Sequence, residues 1–197
     1  MEMNLTIKKL EKLGACSGAR EKFLSQKETD VKKIITSLLD YNIIWANWLI
    51  VRLMTHRQKI RYAIYAAELV IDLYEKKYPE DQRPRNAINT AKAYLKNPSI
   101  KNKNAAYAAA NAAYAAAYAA YAAAYAANAA YAAANAAYAA YAATNAAYAA
   151  YAAANAVNAV YATYAAAYAA YAAANAVYAR KGMEKKIILY GLKLLKL

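Results

Sequence analysis

Apolar residues recur every three or four positions through most of this chain, and the residues between the runs predict short helices in its first half. Asn4 can cap a first helix carrying Leu5, Ile7, Leu10 and Leu13, which Gly14 ends. Ser17 can cap a second, with Phe23 and Leu24. A third starts near Thr29 or Asp30 and carries Val31, Ile34, Ile35, Leu38 and Leu39. Asp40 is placed to cap the most apolar helix, from about Tyr41 to Met54, with Trp45 and Trp48 three apart on one face. A longer helix from about Arg57 to Lys77 carries Ile64, Leu69, Val70 and Leu73 inward until Pro79 stops it. Pro84 suits the first turn of a further helix reaching Lys96, and Asn97-Pro98 closes that one.

From Asn104 to Ala179 the pattern changes. Tyrosines and asparagines stand on an alanine background at spacings of three or four only, with no charge, glycine or proline. That is a helical period in the best helix-forming residue. The mean spacing of about 3.36 falls short of the ~3.6 of an ideal helix, so the large residues wind around any single rod. Up to Tyr125 a 3-4-3-4 rhythm can follow one packing partner. The whole repeat therefore reads as two to four helices folded back on one another, with turns near Asn128 and near Asn155–Asn158. Alanine faces permit close approach, and asparagines can satisfy tyrosine hydroxyls. The tail from Lys185 to Leu197 is amphipathic: Lys185, Lys186, Lys193 and Lys196 oppose Ile187, Ile188, Leu192, Leu194 and Leu195. It reads as a closing helix, with a membrane-surface helix as the alternative.

The expectation is an all-α fold: a compact array of packed helices whose second half is an Ala/Tyr/Asn-repeat bundle. Three segments follow, namely basic N-terminal helices over 1–103, repeat helices over 104–180 and a closing helix over 181–197. The longest strongly apolar run, Ile43 to Met54, is too short for a membrane span of about 20 residues. No basic-then-apolar leader is visible, and Cys16 has no second cysteine to pair with. Both features suit the cytoplasm.

The formal charge is +14. Residues 1–103 hold 20 Lys/Arg against 11 acids, and 180–197 hold 6 against one. Such a field attracts nucleic acid, anionic nucleotides or an acidic protein, and it also serves general solubility. Chemistry of other kinds is poorly represented. His56 has no Cys, Asp or Glu at ligand spacing, and a Cys16–His56 pair would need a small residue at a helix junction to act as a nucleophile. Glu68, Asp72 and Glu75 share one helix face, which suits a metal or, better, a solvated face beside Lys76 and Lys77. No cofactor, metal or catalytic residue is expected. The candidate binding residues are two basic clusters, Arg52, Arg57, Lys59 and Arg61, and then Arg83 and Arg85 about Pro84. With tyrosines nearby they could hold phosphates and stack bases. Alternatively, Arg83 pairs with Asp81 or Glu80 to set the turn.

Three stretches carry a resemblance. Leu10-Glu11-Lys12-Leu13-Gly14-Ala15-Cys16, the WANWLIVRL run from Trp45 to Leu53 and DQRPRNAI from Asp81 to Ile88 occur in this order ahead of an alanine repeat. Together they resemble an alanine-rich bacterial family of immunity proteins of polymorphic-toxin systems. The repeat departs from that pattern in lacking interspersed Arg, Asp and His. The resemblance implies a non-catalytic inhibitor that binds and neutralises a toxin or defence-system nuclease. Two other readings stand beside it: a phage-type counter-defence protein binding a nucleotide or nucleic acid, and a structural protein whose tyrosine ladders join copies.

Overall fold

The computed structural model describes residues 3–129, 148, 151 and 180–197. The fold is all-α. Among the described residues the helices are α1 (Ile7–Lys12), α2 (Ser17–Gln26), α3 (Val31–Tyr41), α4 (Ile43–Leu53), α5 (His56–Glu68), α6 (Ile71–Lys77), α7 (Arg83–Lys96), α8 (Ile100–Ala129) and α9 (Arg180–Leu195). They divide into two compact units, one of Met1–Met54 with Ile188–Leu197, the other of Thr55–Ile187.

In the first unit α1 packs on α2 and α3 on α4. Asn4 does not cap α1. It forms an isolated antiparallel bridge with Asp30, in which Leu5 N–H donates to Thr29 O at 2.7 Å and Val31 N–H to Met3 O at 2.9 Å. This extended backbone leaves Thr6 as the cap, its hydroxyl accepting from Lys9 N–H. Gly14 ends α1 as expected, at φ +80, with Ala15 N–H reaching back to Leu10 O. Asp30 caps α3 through Lys33 N–H. Asp40, by contrast, belongs to the last turn of α3, and Asn42 caps α4 through Trp45 N–H. Asn42 is extended, so one residue both ends α3 and starts α4. The buried core here includes Leu5, Val31, Ile35, Ala46 and Ile50. From the tail, Ile188, Leu192 and Leu195 of α9 are buried and Leu189 is half exposed.

The second unit starts with a capping box, Thr55 and Gln58 satisfying each other's backbone at the head of α5. The expected single helix to Lys77 is broken at Leu69–Val70. There Val70 N–H bonds Ala67 O and Leu73 N–H bonds Val70 O, three residues back instead of four. Pro79 follows α6, and Pro84 sits in the first turn of α7. α7 packs on both α5 and α8. The contact with α8 runs through alanine: Ala106, Ala110, Ala113 and Ala116 are wholly buried, and Ala110 and Ala113 cluster with Ala87 of α7. Tyr151 lies against that cluster, and its ring is 5.0 Å from that of Tyr114, which also meets Tyr148 at 5.9 Å. α8 continues through Asn128, so no turn precedes Ala129. The turns expected at Asn155–Asn158 lie outside the described residues.

Candidate functional site

The six candidate cations fall into three environments. Arg52, on α4 of the first unit, is exposed and lies over the Trp48 ring, its Cζ 5.5 Å from the centroid. Arg57, Lys59 and Arg61 begin α5 in the second unit. At about 100° per residue, Arg57 and Arg61 share an outer face, whereas Lys59 stands about 160° from Arg57. The burial agrees: Arg57 and Arg61 are exposed and Lys59 is half-buried on the side of Ile60 and Ala63. Tyr65 and Glu68 continue the outer face. Neither Arg57 nor Arg61 has a carboxylate within ion-pair distance among the described residues. His56 meets Tyr94 of α7 edge-on at 6.3 Å, and Cys16 belongs to the other unit.

Arg83 and Arg85 are committed within the molecule. Arg83 grips Asp81 with both ends of its guanidinium, Nε to Oδ1 at 2.9 Å and Nη2 to Oδ2 at 2.6 Å. The same carboxylate accepts the Tyr74 hydroxyl at 2.6 Å and Arg83 N–H at 3.0 Å. Arg83 first, and then Tyr74, hold the Asp81 carboxyl down at about 2 against the opposing effect of burial. Burial, with the bond to Asp81, pushes the Tyr74 hydroxyl well above its ordinary value. Arg85 forks onto Glu75 at 2.6 and 2.5 Å and touches Asp72 at 3.3 Å, drawing the Glu75 carboxyl down. Lys92 pairs with Glu68. The acidic face of α5 and α6 thus receives cations of α7, and no group of three His, Cys, Asp or Glu among the described residues is placed to hold a metal ion.

Sequence spacing anticipated the Arg83–Asp81 pair, two residues apart. It missed Arg85–Glu75, because the residues are ten apart and meet only through the turn at Pro79. The available signal was the i, i+3 spacing of Asp72 and Glu75 opposite a basic helix start. Comparison with family models, with curated proteins and with solved structures finds no match. No described helix is long and apolar enough to cross a membrane.

Proposed function

We propose that the protein is a non-catalytic helical inhibitor of the immunity type, which neutralises a toxin or defence-system nuclease by binding it with a basic surface. One observation carries this reading: Arg57 and Arg61 stand exposed one turn apart without a carboxylate partner among the described residues, while Arg83, Arg85 and Lys92 are all paired. Together with the charge of +14, they favour an acidic surface on the target and speed the encounter with it. The sign also limits the contact. A nuclease draws its substrate in with positive charge, so a basic inhibitor must engage an acidic region beside the cleft and cannot imitate the nucleic acid.

The test is capture of a partner from the source cell with the full chain, then stoichiometry and association rate. A 1:1 complex whose partner loses activity, and whose association slows about tenfold or more in Arg57→Glu/Arg61→Glu, supports the reading. An unchanged rate removes this face from the contact. A second reading is favoured by Tyr65 sharing the face of Arg57 and Arg61, an aromatic beside two cations that suits a nucleic-acid strand. Binding of single-stranded DNA that falls steeply from about 50 to 200 mM salt would select it.

A further inference from the structure

We propose that the first unit carries a docking groove for an acidic peptide segment with an apolar anchor. This rests on the reading of the protein as a partner-binding inhibitor and names a second contact on the target. The groove lies among α2, α3 and α4, where Phe23, Leu38, Trp45, Trp48 and Leu49 line a cavity of about 30 Å³. That exceeds the ~10–15 Å³ a water molecule needs, but the walls are nearly all apolar, so an apolar group suits it better than water. Trp45 lies beside Gly18: a Cβ there would stand 3.6 Å from its ring, an ordinary contact. Tyr41 extends the aromatic surface, 6.0 Å from Trp45, and is 61% exposed, while Ile44 beside it is 73% exposed.

Charge decides the occupant. Lys22 lines the groove from α2 with its Nζ 4.5 Å from the Tyr41 ring centroid, and Arg52 lies over Trp48 on α4. Neither has an ion-pair partner among the described residues. At about 100° per residue, Lys22 shares the side of α2 that bears Phe23 and Gln26, and Arg52 shares the side of α4 that bears Trp45 and Trp48. The acids within α2 and α3 point elsewhere: Glu21 lies about 160° from Phe23, and Asp40 about 160° from Leu38. Aromatic rings that carry two cations, Lys22 in the lining and Arg52 on the ring of Trp48, complement an apolar side chain accompanied by carboxylates. A basic segment would be repelled there.

Trp45 and Trp48 are the chain's two tryptophans, so indole emission reads the groove directly. The full chain is titrated with a synthetic peptide of leucines flanked by glutamates, and with the same peptide carrying lysines instead. The glutamate peptide should saturate with a blue shift, and Lys22→Glu/Arg52→Glu should weaken it tenfold or more with unchanged helical dichroism. Lys22→Gln, a milder change, should weaken it less. Equal binding of both peptides, no change in emission, or no loss in the charge-reversed variant overturns the groove. So does self-association of the free chain that itself shifts the emission, since a second copy would then be the occupant. Arg57 and Arg61 belong to the other unit, so a failed groove leaves the inhibitor reading standing. A groove that binds while no target is inhibited sinks that reading alone.

Discussion

Tyr74 and Tyr78 stand one turn apart with ring centroids 5.0 Å from each other, yet their hydroxyls fare oppositely. That of Tyr74 donates to Asp81, whereas that of Tyr78 is buried without a hydrogen-bond partner among the described residues. A buried hydroxyl left unpaired costs on the order of 1–3 kcal/mol, while a bond to a charged acceptor contributes about 1.5–3 kcal/mol. Tyr74→Phe should therefore lower unfolding free energy by about 1–2 kcal/mol, and Tyr78→Phe should leave it unchanged or raise it. Urea titrations of the two variants check this; equal losses would contradict it.

Acid should loosen the α6–α7 turn. The Asp81 carboxyl is lowered from 3.8 to about 2, and Glu75 is lowered by Arg85. Depressed folded values mean stability that is present above the unfolded values near 4 and lost as pH falls toward 2. For Asp81, 18% exposed, the contribution is on the order of 1–2 kcal/mol after discounting the exposure of Arg83. In Asp81→Asn the fall in melting temperature between about pH 4 and pH 2 should be visibly shallower.

Two glycines should answer alanine in opposite directions. Gly18 is helical and a Cβ there makes ordinary contact with Trp45, so Gly18→Ala should stabilise by about 0.5–1 kcal/mol. Gly14 has open space but φ +80, so Gly14→Ala should destabilise by about 1 kcal/mol through backbone strain alone. Thermal melts that show the same sign for both would contradict this account.

The alanine contact between α7 and α8 should tolerate no added volume. Ala113→Leu should cost about 1–3 kcal/mol by overpacking, whereas Ala115→Leu, on the exposed side, should stay within about 0.5 kcal/mol. Comparable effects at the two positions would mean that the buried stripe lies elsewhere on α8.

Much of the helical order was legible because it rests on local chemistry. Gly14, Asp30, Pro84 and Asn97 mark ends by their own preferences, and the structure uses all four. The misses came where a distant or tightened backbone intervened. Asn4 was drawn into a bridge with Asp30, and Asn42 took the cap that Asp40 was expected to supply. The break at Leu69–Val70 has no glycine or proline to mark it. Among the candidate binding residues, Arg57 and Arg61 stayed exposed together, but Lys59 turned inward because three residues on a helix do not face one way. The groove beside Trp45 was half visible, as two tryptophans three apart. Lys22 could join it only once α2 was folded across.

The ion pairs that α7 makes among the described residues reach backward along the chain: Arg83 to Asp81, Arg85 to Glu75, Lys92 to Glu68. No acid occurs from Gln82 to Met183. During synthesis the carboxylates therefore leave the ribosome first and wait for α7 to arrive, so the helix pair can lock as soon as its last cation emerges. Lys96, Lys101 and Lys103 come after the acids of α5 and α6 have been taken, and no later stretch supplies replacements until Glu184. A nascent chain at that stage presents its surplus positive charge to whatever anion is nearby.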